Sequence, residues 1–268
     1  MSIKVDSLKP VRQPGIPRGV LRLDYRSSID DQADWALVWP PSQGDRWAVV
    51  IHGHGSKGDQ LYTRPDVRAQ WLPAFRRFGL GIVTPNLRDN AWMGPRAAAD
   101  LHNLLDVLRV RYRARQFLFT SGSMGGTSNL IYGVLHPEDV AGLIALCSVT
   151  DLGPYHAWCR RNNTGVIKEI ADAIESAYDG VPRRRSALYR RHSTLIHAHR
   201  LTMPVYLAHG TADNLIPIAE SRQLVGRLAG KPDLFYTEIP DGDHDSPLPL
   251  VPDSLAWMMK RLDPDRKR

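Results

Sequence analysis

The stretch Thr120-Ser121-Gly122-Ser123-Met124-Gly125-Gly126 restricts this chain most tightly. An apolar run, Gln116 to Thr120, precedes it, and a helical pattern, Ser123 to His136, follows at once. A strand that passes into a helix without a loop must turn sharply, and the residue at the turn is held in a strained conformation with its side chain exposed. Strand and helix backbones come close there, so the positions two residues either side of the turn must be small. Ser121 and Gly125 meet that condition around Ser123. A turn centred on Ser121 instead would place Phe119 at the tight position. The common form of this turn is Gly-x-Ser-x-Gly, and here Ser121 replaces the first glycine.

Around this turn, short β-like runs alternate with longer helical patterns, which predicts an α/β fold with a mostly parallel sheet covered on both faces. The β-like runs are Gly19 to Tyr25, Trp35 to Trp39, Trp47 to Ile51, Gly79 to Pro85, Gln116 to Thr120, Val140 to Val149, Pro204 to Ala208 and Leu234 to Ile239. Trp47 to Ile51 is continuously apolar, as a strand buried on both faces should be. Helices are expected over Arg64 to Phe78, Pro95 to Tyr112, Ser123 to His136, Val166 to Tyr178, Ile218 to Leu228 and Ser254 to Leu262. The second of these carries Leu101, Leu104, Leu105, Leu108 and Val110 as its apolar set. A length of 268 residues suits a single domain, 1–268, with 151–201 as a small cap-like insertion before the strand at Pro204. The polar tail DPDRKR is expected to fray.

A serine hydroxyl is a poor nucleophile at neutral pH and needs a base, which in turn needs an orienting group. PVYLAHGTADNLIP places Asp213 just past a strand, and IPDGDHDSP places His244 in a polar loop before the last helix. The order serine, acid, histidine along the chain makes Ser123, Asp213 and His244 the candidate catalytic set. Asp151, past the preceding strand, is the rival acid, and Asp241 and Asp243 are expected to cap the loop. Of the other histidines, His136, His192, His197 and His199 are expected at the surface or in packing. His209 is expected to be structural, and His102 has no evident partner.

His52-Gly53-His54-Gly55-Ser56 follows the central strand directly. Acyl transfer builds negative charge on the substrate oxygen, and backbone N–H groups aimed at it stabilise that charge. The N–H groups of Met124 and His54 are the candidate donors of such an oxyanion hole. The glycines let this backbone approach a ligand closely. A metal reading of His52 and His54 lacks a third ligand nearby in the sequence, so no metal and no cofactor are expected. Trp92, Tyr155 and Trp158 are the candidate substrate-binding residues, with ordinary packing as the competing reading.

On these residues the chain resembles the α/β-hydrolases. From Trp47 onward, AYDGVPRRRSALYRRHS, MPVYLAHGTADNLIPIAES and IPDGDHDSP resemble the catalytic domain of the prolyl oligopeptidase-like hydrolases. The resemblance implies a serine hydrolase that cleaves carboxylic esters through an acyl-enzyme. The residues before Trp47 are too few for the propeller of the large peptidases, which favours an esterase. A peptidase or amidase with the same triad is the alternative, and a non-catalytic hydrolase-fold protein is a third reading.

The net charge of +7 and pI of about 9.6 raise the question of nucleic acid. The basic residues are scattered, arginine outnumbers lysine 28 to 7, and no nucleic-acid motif appears. The expected partner is a small-molecule or sugar ester substrate, with no nucleic acid and no membrane; the oligomeric state is left open. Cys147 and Cys159 lack metal-ligand spacing and are expected as free thiols. The N-terminal stretch has no apolar signal core, so a cytoplasmic chain is expected.

Overall fold

The computed structural model describes residues 3–263. Nine strands form one sheet: β1 (Lys4–Pro10), β2 (Leu21–Arg26), β3 (Ala33–Trp39), β4 (Arg46–Val49), β5 (Gly81–Pro85), β6 (Gln116–Gly122), β7 (Gly142–Leu146), β8 (Val205–Gly210) and β9 (Leu234–Ile239). Their spatial order is β1-β2-β3-β5-β4-β6-β7-β8-β9. The first three strands are antiparallel to their neighbours, and β3 also meets β5 antiparallel. From β5 to β9 every pairing is parallel. The chain runs from β4 outward to β5 and then returns to place β6 on the other side of β4. Loops leaving the carboxyl ends of β4 and β6 therefore diverge and open a crevice, the place where parallel sheets bind ligands.

The helices are α1 (Gln60–Thr63), α2 (Pro65–Arg77), α3 (Pro95–Tyr112), α4 (Ser123–Leu135), α5 (Leu152–Arg161), α6 (Gly165–Ala177), α7 (Ser186–Arg191), α8 (Ala219–Arg227) and α9 (Val251–Leu262). Alternate residues of each central strand point to opposite faces, and two cores result. One joins Val49, Phe119 and Leu143 to α3, α4, α5 and α6. The other joins Val50, Leu118 and Ile144 to α2 and α9 through Trp71, Phe75, Leu255 and Met258. Central strands face apolar side chains both ways, so β5 and β7 are buried throughout.

The expected elements are present, with ends shifted by a few residues. Those not anticipated are β1, α1, α5 and α7, all short or polar. Val110, expected in the core of α3, is 86% exposed. It lies two residues beyond Leu108, about 200° around the helix, so the 3.6-residue period itself puts it on the outer face. Residues 152–200, between β7 and β8, hold α5, α6 and α7. Cys147 and Cys159 are free thiols, both buried. No helix among the described residues is long and apolar enough to cross a membrane. Residues 264–268 of the polar tail lie outside the described residues.

Candidate active site

Ser123 stands at the first position of α4, directly after β6, with φ of +57°. A non-glycine residue in the left-handed region is strained, and here the surroundings hold it there. A Cβ on Gly125 would come within 2.1 Å of the Ile51 carbonyl oxygen, and one on Gly126 within 2.2 Å of Ser148 Oγ. The glycines thus let the start of α4 lie against the end of β4 and the residues after β7. Ser121 does what glycine would not: its hydroxyl accepts the Ile51 N–H at 2.9 Å, tying β6 to the end of β4. Thr127, one turn into α4, donates to the Ser123 carbonyl at 3.0 Å and accepts the Val149 N–H at 2.9 Å.

The three residues expected to act together are brought together from three loops at the carboxyl edge of the sheet. His244 Nε2 lies 2.9 Å from Ser123 Oγ, and His244 Nδ1 lies 2.7 Å from Asp213 Oδ2. The Asp213 carboxylate is fully buried and accepts the N–H groups of Leu215 (2.8 Å) and Ile216 (2.9 Å) on Oδ1. Burial pushes its carboxyl up, but hydrogen bonds from His209 and His244 and from the Ile216 N–H outweigh it. The carboxyl is held well below the usual range and stays ionised. An ionised carboxylate only accepts, so His244 carries its proton on Nδ1 and offers the Nε2 lone pair to the Ser123 hydroxyl. This is the tautomer a general base needs.

His209 is closer to this chemistry than a packing role suggests. Its Nε2 lies 2.9 Å from the Ile216 carbonyl and 3.2 Å from Asp213 Oδ2, and its Nδ1 lies 2.7 Å from Ser221 Oγ. Both groups facing Nε2 are acceptors, so Nε2 donates and Nδ1 accepts the Ser221 hydroxyl. Asp213 is therefore held between two imidazoles. The sequence signal was the four-residue spacing from His209 to Asp213. Asp151, the rival acid, is occupied elsewhere: it accepts the Gly153 N–H at the start of α5 and the Ser193 hydroxyl. Asp243 accepts from the Asp245 and Ser246 N–H groups and caps the His244 loop.

Met124 is the second residue of α4, and the first four N–H groups of a helix have no acceptor inside it. In the loop after β4, the Gly53 N–H is tied to Gln60 (2.7 Å) and the Gly55 N–H to Asn90 (2.8 Å). No partner for the intervening His54 N–H is found among the described residues. The His54 ring is held as well, because Trp92 Nε1 donates to its Nδ1 at 3.3 Å. Burial lowers the basicity of this imidazole, against the opposing pull of Glu169.

Of the three expected substrate-binding aromatics, Trp92 reaches the candidate oxyanion loop through His54, but none borders the cavity beside Ser123. Trp92 and Tyr155 are buried in the core on the α3–α4 face, ring centroids 6.0 Å apart, and Trp158 stacks on Tyr155. The cavity beside Ser123, about 50 Å³, opens on the α2–α9 face. Leu61, Val67, Trp71, Cys147 and Leu248 line it with Ser123, and none of the three expected aromatics does. The alternation of apolar runs marks which residues are buried, but not which side of the sheet they cover. Arg64 closes the rim, bonded to Asp66 and, at 2.9 Å, to Asp245 beside the catalytic histidine candidate.

No family model and no curated protein matches this sequence. Solved structures do resemble it. A puromycin-hydrolyzing peptidase of Mycobacterium tuberculosis superposes with a TM-score of 0.66 at 18% identity, over 91% of this chain. This chain spans only 39% of that one. An S-formylglutathione hydrolase of Staphylococcus aureus gives 0.65 at 13% identity, over 89% of this chain and 98% of its own. An esterase of Pyrococcus furiosus gives 0.67 at 15% identity, over 96% and 98%. With the strand order above, these likenesses show that the chain has the α/β-hydrolase fold.

Proposed function

We propose that this protein is a serine hydrolase that cleaves carboxylic esters of short acyl groups. The observation that carries the reading is the chain of contacts from Asp213 through His244 to Ser123, at 2.7 and 2.9 Å. Ser123 Oγ attacks the ester carbonyl while His244 Nε2 takes its proton. The tetrahedral oxyanion is received by the N–H groups of Met124 and His54. His244 then protonates the departing alcohol, leaving an acyl-enzyme. Water, deprotonated by the same imidazole, releases the acid. Asp213 holds the ring in the Nδ1–H tautomer and stabilises the imidazolium.

The small apolar cavity beside Ser123 fits the acyl side. Leu61, Val67, Trp71 and Leu248 give it apolar walls that suit a hydrocarbon chain. Two structural counterparts that this chain spans almost entirely are described as an esterase and an S-formylglutathione hydrolase. An amidase shares the same triad, and the peptidase counterpart keeps that reading in the test.

The test is turnover of p-nitrophenyl acetate through octanoate and of an aminoacyl p-nitroanilide, by wild type and Ser123→Ala. Acetate and butanoate should turn over best, with kcat falling by roughly 10³-fold or more in the variant. Anilide turnover with silent esters would replace the ester reading with the amidase one. Silence on the whole panel would overturn both.

A further inference from the structure

At the far end of α4 from Ser123, two imidazoles lie face to face. His102 is midway along α3, and His136 caps α4. Their ring centroids are 4.6 Å apart and their planes 21° from parallel. Beside them stands Asp139, in the short 3-10 turn Pro137–Asp139, with a side chain only 3% exposed. Asp139 accepts from the Tyr132 hydroxyl, from Arg109 and, at 2.8 Å, from His102 Nδ1. The carboxylate can only accept, so His102 carries its proton on Nδ1 and leaves the Nε2 lone pair free. Glu138 Oε1 stands 3.3 Å from His136 Nδ1 and selects the same tautomer there.

An imidazole whose Nδ1–H is held by a carboxylate is the arrangement in which histidines ligate zinc. Here it occurs twice, on rings in contact. Candidate ligand atoms of His102, His136 and Asp139 all lie within 4.8 Å of one another. Ligands at about 2.0–2.2 Å around a tetrahedral ion stand about 3.3–3.6 Å apart, and rings whose centroids are 4.6 Å apart can bring their nitrogens to that separation by turning about their side-chain bonds. Both rings reach solvent, with side chains 37% and 29% exposed. The Arg109 guanidinium stays on Asp139, which leaves that carboxylate to orient His102 while the ring nitrogens face the ion.

We propose that His102 and His136, oriented by Asp139 and Glu138, form a surface site for a divalent ion of zinc-like softness that staples α3 to the end of α4. The thirteen residues of α4 put it about 20 Å from Ser123, so it is separate from the hydrolytic chemistry. Imidazole nitrogen suits Zn2+, whereas Mg2+ prefers oxygen ligands.

The test is titration of untagged full-length protein with Zn2+, read by calorimetry and by thermal unfolding. Wild type should bind one ion saturably. Its Tm should rise by several degrees at roughly 100 times Kd, with no response to Mg2+. His102→Gln and His136→Gln should each weaken binding by about 10-fold or more. A double His197→Gln/His199→Gln variant should bind like wild type; it removes another neighbouring pair, with ring centroids 6.2 Å apart. Binding that survives His102→Gln, or that is lost instead with His197 and His199 or with His244→Gln, overturns the site, as does the absence of saturable binding.

Discussion

Replacing Gly125 with alanine tests whether the close approach of α4 to β4 builds the oxyanion hole. The added Cβ would lie 2.1 Å from the Ile51 carbonyl oxygen, 2.8 Å from its carbon and 2.9 Å from Ser121 Cβ. Two of these three contacts are to backbone, which has no rotamer to yield. Relief to even 3.0 Å requires the helix start and the strand end to part by about 0.9 Å. His54 follows Ile51 by three residues and Met124 precedes Gly125, so that displacement falls between the two proposed oxyanion donors. A misplacement of about 1 Å at a reacting centre costs on the order of 10²-fold in rate. Overpacking of this kind costs about 1–3 kcal/mol in stability. Steady-state kinetics on p-nitrophenyl acetate should therefore show kcat about 100-fold lower with KM little changed. Urea unfolding should report the smaller stability loss in the same sample. Gly53→Ala is the control within the oxyanion loop, because its Cβ would meet nothing closer than the Gln60 side chain at 3.6 Å. If Gly125→Ala turns over within twofold of wild type, the two backbones do not set the hole, and the reasoning fails.

His192 is buried between α7 and the loop before α3, and burial pushes its basicity down to about 4 from an ordinary value near 6.5. The unfolded chain then binds the extra proton between those values. The associated stability is complete above pH 6.5 and falls by about 3 kcal/mol as pH drops to 4, a loss that urea titrations should show and His192→Gln should remove. Arg88 donates to the fully buried Asp100 at 2.5 Å, so Arg88→Met strands a carboxylate and should cost about 3–5 kcal/mol by chemical denaturation; Asp100→Asn in the same chain should recover part of it. Trp92→Phe removes the N–H that holds His54 Nδ1 and should lower kcat by about 3- to 10-fold with KM unchanged, measured on a short ester; unchanged kcat would mean the indole does not position that loop.

The turn around Ser123 and the order of Asp213 and His244 were readable because both are local. Small residues on either side of a serine, and loops directly after apolar runs, are written in consecutive positions. Partners distant in sequence were not readable. Nothing near Ser121 says that its hydroxyl will meet the Ile51 N–H, seventy residues earlier. The same limit hid the pairing of His102 with Asp139 and the second imidazole on Asp213. It also misplaced the pocket. Trp92 and Tyr155 are large, buried and near the site in sequence order, but the fold puts them on the α3–α4 face. The cavity belongs to Leu61, Val67 and Trp71 on the other. Strand periodicity distinguishes inside from outside only when one face is solvated; a sheet covered on both faces erases that distinction.

One wall of the cavity is also the loop that carries the proposed base. Leu248 follows His244 by four residues; its carbonyl accepts the Trp71 indole N–H at 3.0 Å, and Arg64 bonds Asp245. Its side chain crowds Gly122, where a Cβ would come within 2.7 Å. On the proposed mechanism, substrate choice and proton transfer are therefore mechanically linked on this side, and reshaping the cavity there would disturb the imidazole along with the acyl group. Leu61 and Val67 border the same space from α1 and α2, elements that bear none of the triad. If the proposed function holds, variation in acyl length is thus open to this scaffold from the helix side, where a residue can shrink or grow while His244 keeps its register.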